Sequence, residues 1–229
     1  MSFSILGLGT ALPGHAMSQS QATQLANVVA CHSAAETRLL SALYRKSGVT
    51  TRYTAVPHQI AYGYANGNGP TNGNGGPSHK NLGPTTRERM QFYEQHAYPL
   101  ARAAVERALA EAALDPRQVT HLITVSCTGF MAPGVDVELI NGLGVPRTTE
   151  RIQVGFMGCH GAINGLRTAL AIARSDPNAR ILLCAVELCS LHYRFDWDPE
   201  RFLGNALFAD GAAAIVGGAA PDAAASGRE

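Results

Sequence analysis

Between Arg151 and Arg174 the chain changes its hydrophobic period within a few residues. Ile152, Val154 and Phe156 alternate with polar or small neighbours, which is strand periodicity. From Ala162 onward, Ile163, Leu166, Leu170, Ala171 and Ile172 follow helical spacing, with alanine at most remaining positions. That pattern predicts a helix buried on most sides. The joint between the two periods is Gly158-Cys159-His160-Gly161. Both glycines lack a β-carbon, so backbone or ligand can approach the sulfur closely. A strand that turns directly into a buried helix fits a layered α/β architecture, and it makes Cys159 a candidate nucleophile. Spacing alone supports equally a cysteine that is simply a small residue where a helix packs closely, because free cysteine is a common core residue.

The flanking chain repeats this alternation of strands and helices. Phe3 to Leu8 reads as a short strand, Gln21 to Ala30 as a helix capped by Ser18 or Ser20, and Ala35 to Leu43 as a second helix. Val49 to Val56 is β-rich. Ala61 to Pro84 is dominated by Asn, Gly and Pro, which excludes helix and central strand and predicts a flexible surface loop. Met90, Tyr93, Ala97, Leu100, Ala101, Ala104, Val105 and Leu109 predict a long helix from Thr86 to Ala113, stopped by Asp115-Pro116. Val119 to Ser126 and Ile181 to Leu188 are apolar runs of the kind buried on both sheet faces, with a helix from Val135 to Leu143 between them. Ala212 to Gly217 is a last strand, and Ala219 to Glu229 reads as an unstructured tail. The order predicts an α/β fold with a mixed or mostly parallel sheet covered by helices.

Charge and composition exclude several functions. The net charge is +1 and no basic run stands out, which argues against nucleic acid as a partner. No run of eighteen apolar residues exists, so no membrane span is expected, and Met1 to Gly7 lacks the basic flank of a signal peptide. Five cysteines, an odd number, read as free thiols in a reducing cytoplasm. Gly7-Leu-Gly9 opens like a dinucleotide-binding turn, but Leu12 stands where a third glycine is needed and Pro13 interrupts the following helix. Cys184, Cys189 and His192 have loosely ligand-like spacing, yet Cys184 lies mid-strand and no fourth ligand is supplied, so no metal is expected. No G-x-S-x-G elbow points to a serine hydrolase. Lys46 and Arg52 are basic and near turns, which fits surface solubility or, less readily, a phosphate contact.

A thiol at a helix N-terminus gains about 0.3–1 kcal/mol toward the thiolate, up to about 2. One pKa unit is about 1.36 kcal/mol, so a helix alone does not make a competent nucleophile at neutral pH. A partner is needed, usually a histidine. His160 is adjacent in sequence, and neighbours on a helix do not face each other. His192 follows a neighbouring strand and is a candidate.

Three stretches carry a family resemblance: Val125-Ser-Cys-Thr-Gly-Phe-Met-Ala-Pro-Gly-Val-Asp136, Gly155-Phe-Met-Gly-Cys-His-Gly-Ala162 and Ala206-Leu-Phe-Ala-Asp-Gly-Ala-Ala-Ala-Ile-Val-Gly217. Gly7 to Pro13 and Arg45 to Tyr53 match as well. The chain resembles the chalcone and stilbene synthases, type III polyketide synthases of the thiolase-like fold. The resemblance covers nearly the whole chain apart from the Asn/Gly loop and the tail. It implies the N-terminal half of that fold over residues 1–218, a mixed sheet with a buried nucleophile helix, and a homodimer. It implies an acyltransferase that takes acyl groups from coenzyme A thioesters and condenses them with malonyl-CoA, with no cofactor.

By position the resemblance makes Cys159 the nucleophile and Phe208 the residue that gates the cavity and favours malonyl decarboxylation. Cys127, Thr128, Cys189, Leu191, His192 and Gly204 fall where the family lines its cavity, and Lys46 where it holds coenzyme A phosphates. Ala132 stands where many plant members extend a methionine into the partner's cavity. Two cysteines among the lining positions suggest an aliphatic or aromatic acyl starter. The chain is about half as long as a family member. The family's catalytic histidine and asparagine belong to the second half, after the strand ending near Gly218. Such oxyanion donors are worth about 2.7–4 kcal/mol each, so this chain alone is expected to acylate slowly and not to extend a polyketide. An exposed apolar surface is expected where a second half would pack. The alternatives are an initiating β-ketoacyl synthase of fatty-acid synthesis, or a catalytically inactive truncated partner of an intact paralogue.

Overall fold

A computed structural model describes residues 2–58, 84–193 and 197–220. Residues 61–83 of the Asn/Gly/Pro-rich stretch and residues 221–229 of the tail lie outside them. Two compact units emerge: Met1–Ala11, Glu94–Glu187 and Ala212–Glu229 form the first, Leu12–Tyr93 and Leu188–Gly211 the second.

The first unit is built on a five-stranded sheet, in the order β1-β7-β6-β4-β5. Its strands are β1 (Ser2–Ala11), β4 (His121–Ser126), β5 (Glu150–Gly155), β6 (Arg180–Leu188) and β7 (Asp210–Ala220). β4 runs parallel to both β5 and β6, whereas β1 is antiparallel to β7, so the sheet is mixed. β4 is central and buried at all six positions, as its apolar run predicts. β7 continues through Ala219 and Ala220, two residues that the sequence pattern assigns to the tail.

Small residues let helices lie close to this sheet. α3 (Thr86–Glu111) belongs to this unit from Glu94 on. A β-carbon at Gly9 would lie 2.1 Å from the Ala104 carbonyl oxygen and 2.5 Å from the Ala108 nitrogen, and one at Gly7 would lie 2.2 Å from the Ala108 oxygen. β1 therefore rests on the backbone of α3. α5 (Gly161–Ser175) buries Gly161, Gly165, Ala169 and Ala173, one residue per turn, in the core with Ile123, Val125, Ile181 and Leu183. The sequence pattern predicts a helix buried on most sides. The structure buries one stripe and leaves Ile163, Arg167 and Ala171 exposed. α4 (Val135–Leu143) ends on Gly144 in the left-handed region, with φ of 70°. Buried Asp136 of α4 accepts a 2.7 Å bond from the Arg151 guanidinium of β5.

The second unit holds the ribbon of β2 (His15–Ser18) and β3 (Thr51–Thr54), and the helices α1 (Gln19–Ala30), α2 (Ala34–Lys46) and α6 (Pro199–Leu207). Ser18 caps α1 in a capping box: its hydroxyl accepts from the Gln21 N–H and the Gln21 side chain accepts from the Ser18 N–H. Leu40, Tyr44, Ala22, Phe202 and Ala206 form the core. Among the described residues, no helix is long and apolar enough to cross a membrane.

Candidate active site

β4, β5 and β6 are neighbouring parallel strands, so their carboxyl ends open on the same side, where α/β sheets build their sites. Ser126 pairs with Gly155 at that edge. β4 continues into Cys127 and Thr128, and β5 into the turn that carries Cys159. Glu187, near the end of β6, holds the first of these loops. Its carboxylate accepts from the Cys127 N–H at 2.9 and 3.1 Å and from the Thr128 hydroxyl at 2.6 Å. Two candidate residues, Cys127 and Thr128, are thus held at one strand edge by an acidic residue that the spacing argument passed over. A carboxylate closing an otherwise apolar strand is the signal that singles it out, since such a group needs donors.

The turn after β5 is tight. The strand ends at Gly155 and not at Phe156, whose φ is 56° and whose ring is 72% exposed. A phenylalanine in the left-handed region costs about 1–3 kcal/mol, a cost the surrounding turn sustains. Gly158 follows with φ of 61°, and Gly158–His160 forms a single 3-10 turn. Cys159 lies in that turn, exposed, one residue before His160 at the N-cap of α5. Gly161 then lets the helix start against the sheet: a β-carbon there would lie 2.8 Å from Val125 Cγ1. The helix packs through its glycines and alanines, and the Cys159 thiol lies outside that packed stripe, exposed. The Cys127 thiol donates to the Gly158 carbonyl at 3.5 Å, so the two cysteine loops touch. Phe130 and Phe156, both exposed, meet with ring centroids 6.3 Å apart and give this edge an apolar rim.

The remaining predicted residues fall in the second unit. Cys189, Leu191 and His192 form the 3-10 turn after β6, with Leu191 buried, Cys189 half-buried and His192 exposed. The Ser190 N–H and hydroxyl donate to Asp210 at 2.7 and 2.6 Å, and the Ala55 N–H adds a third bond at 2.7 Å. Burial raises the Asp210 carboxyl above the usual aspartate range, and these donors act against that rise. Gly204 and Phe208 sit at the C-terminal end of α6, where the Phe208 N–H donates to the Gly204 carbonyl and the Phe208 ring is exposed. Lys46 is exposed in the last turn of α2.

Arg52 is neither a surface cation nor a phosphate contact. It is 2% exposed. Its guanidinium donates to Gln19 Oε1, to the Tyr193 hydroxyl and to the carbonyls of Asn205, Ala206 and Phe208, at 2.6 to 3.2 Å. Tyr44 and Tyr193 lie 5.6 and 5.9 Å from it, ring centroid to guanidinium. The cation closes the C-terminal end of α6, where it satisfies carbonyls that the helix leaves free and meets the negative end of the dipole. Burial pushes the Tyr193 phenol up to about 12. Among the described residues, no group of three or more His, Cys, Asp and Glu is arranged to hold a metal ion.

The profile of the chalcone and stilbene synthases, N-terminal domain, matches residues 2–221. The chain belongs to that family. It is 34% identical over 215 residues to the alpha-pyrone synthesis polyketide synthase-like Pks18 of Mycobacterium tuberculosis, covering 94% of this chain and 51% of the relative. It is 31% identical over 221 residues to type III polyketide synthase C of Arabidopsis thaliana, covering 95% and 54%. Among solved structures, PKS-I from the brown alga Ectocarpus siliculosus superposes with a TM-score of 0.81 at 30% identity, over 97% of this chain and 57% of that one. The C-terminal type III polyketide synthase domain of Steely1 from Dictyostelium superposes at 0.83 with 26% identity, over 96% and 57%. The chain spans about half the length of the curated relatives it matches.

Proposed function

We propose that the chain carries the acyl-loading half of a type III polyketide synthase. The observation that supports this most is the accessible Cys159 thiol, held in a glycine-flanked turn at the head of α5 and at the carboxyl edge of parallel strands. The Cys159 sulfur attacks the carbonyl carbon of an acyl-CoA. The tetrahedral intermediate collapses, the bond to the coenzyme A sulfur breaks, and coenzyme A leaves with a proton as the free thiol. An acyl thioester remains on Cys159. In the complete enzyme, malonyl-CoA loses carbon dioxide to give an enolate, which attacks that thioester; the bond to the Cys159 sulfur breaks, the thiolate leaves, and the lengthened chain stays on coenzyme A. Phe208 favours the decarboxylation, Lys46 pairs with coenzyme A phosphates, and Cys127, Thr128, Cys189, Leu191, His192 and Gly204 shape the cavity. The enzyme works as a cytoplasmic homodimer without a cofactor.

Incubation with a radiolabelled acyl-CoA, of the chain alone and of the chain joined to the C-terminal half of a relative, tests the reading. Label released by hydroxylamine and mapped to Cys159 is expected in both, and about 10²–10³-fold faster loading in the joined form for each oxyanion donor gained. No label on Cys159 in either form sinks the proposal. Loading from an acyl carrier protein but not from coenzyme A replaces it with an initiating β-ketoacyl synthase.

A further inference from the structure

We infer that Cys127 and Cys159 form a redox pair, in which Cys127 resolves the oxidised nucleophile as an intramolecular disulfide. The geometry lies within the first unit. The Cys127 sulfur sits 3.5 Å from the Gly158 carbonyl oxygen. That carbonyl belongs to the peptide bond leading into Cys159, so covalent geometry puts the Cys159 α-carbon within about 6 Å of the Cys127 sulfur. A disulfide needs β-carbons about 3.5–4.5 Å apart, so the backbone of the turn adjusts to set that spacing, and rotation about the two Cα–Cβ bonds then brings the sulfurs together. Gly158 and Gly161 flank that turn and allow the adjustment. Both sulfurs can be reached: Cys159 is exposed and Cys127 is half-buried. The remaining cysteine of this unit, Cys184, is buried mid-strand, with its sulfur toward the Ala101 carbonyl of α3.

The chemistry runs in two steps. The Cys159 thiolate attacks a hydroperoxide, taken here as hydrogen peroxide. The O–O bond breaks, hydroxide leaves, and the sulfur is oxidised by two electrons to the sulfenic acid. The Cys127 thiol then gives up its proton and its sulfur attacks the sulfenic sulfur: the S–S bond forms, the S–O bond breaks, and the leaving hydroxide takes up that proton as water. The disulfide protects Cys159 from the irreversible sulfinic and sulfonic acids, and a cytosolic dithiol restores it. While it stands, Cys159 takes no acyl group. That consequence alone rests on the proposed acyl loading, and a chain that never accepts an acyl group can still form the bond.

The folded chain is treated with hydrogen peroxide, digested without reduction and mapped by mass spectrometry. The expected product is a Cys127–Cys159 linked peptide that dithiothreitol separates. Cys31→Ser keeps the link. Cys127→Ser abolishes it and sends Cys159 on to the sulfinic and sulfonic acids. Three results overturn the inference in the unmutated chain: Cys159 reaching the sulfinic acid while Cys127 stays a free thiol, Cys159 linked to Cys31 or Cys189 instead, or neither thiol oxidised under conditions that oxidise free cysteine. The mapping of the unmutated chain decides the matter even where a variant folds poorly.

Discussion

The thiols of this chain sit in sharply different surroundings, and their reactivity follows from them. Cys159 is exposed in a turn, whereas Cys184 is buried between sheet and helix. Burial pushes the Cys184 thiol up to about 12, so the reactive thiolate is scarce below that pH. Iodoacetamide at neutral pH is expected to alkylate Cys159 within the folded chain and to reach Cys184 only in denaturant. Peptide mass spectrometry reads both, and native labelling of Cys184 at a rate near that of Cys159 would refute the placement. The same contrast shows what single residues reveal in sequence. Cys159 stood out because glycines flank it where the hydrophobic period changes. Arg52 did not, because a basic residue in a β-rich segment looks the same whether it faces water or five acceptors gathered from Gln19, Tyr193 and residues 205–208. Those acceptors are distant in sequence, and backbone carbonyls carry no sequence signature.

At the scale of elements, both layers against the sheet rely on residues without bulk. Gly9 is the stricter case, because what an added β-carbon meets there is the backbone of α3, which cannot move aside. At Gly165 an added β-carbon meets Leu183 Cδ1 at 2.7 Å and Val125 Cγ2 at 3.3 Å, the ends of side chains that can rotate. Gly165→Ala also gains about 1 kcal/mol of helix propensity, which offsets part of the crowding. Gly9→Ala is expected to cost more than about 3 kcal/mol, beyond the usual overpacking range, and Gly165→Ala less than about 1. Urea unfolding midpoints give the order, and a Gly165→Ala variant weaker than Gly9→Ala would contradict this packing. The long α3 and the fully buried β4 were legible from pattern, and so was α4, which a glycine stops: all three begin and end within two residues of their predicted limits. β2 and α6 were not. β2 has four residues, too few for a period. α6 has nine residues, so its buried stripe of Phe202, Asn205 and Ala206 covers little more than one turn, too little to establish a period. β5 is a strand, as its alternation predicts, and it lies at the sheet edge with its first four residues exposed.

For the whole molecule, the sequence expectation of an uncovered apolar surface meets a specific set of side chains. Ile5 and Leu8 of β1 and Ile163 of α5, all in the first unit, are 46 to 56% exposed. β1 and α5 contact each other, exposed apolar side chains on adjoining elements mark surfaces that take a partner, and the relatives are about twice as long as this chain. An apolar dye is therefore expected to fluoresce with the chain alone, and less once the chain is joined to the C-terminal half of a relative. Replacing Ile5 and Ile163 together by threonine and glutamine is expected to lower dye binding while changing stability by no more than about 0.5 kcal/mol per site, because neither side chain is in the core. Sedimentation of the joined form tests the homodimer separately, with a mass twice that of one joined chain expected, and a monomer at every concentration tested removes it. Unchanged dye binding in the double variant would mean that these side chains are not the uncovered surface, and that their exposure reflects the ordinary apolar share of a folded surface.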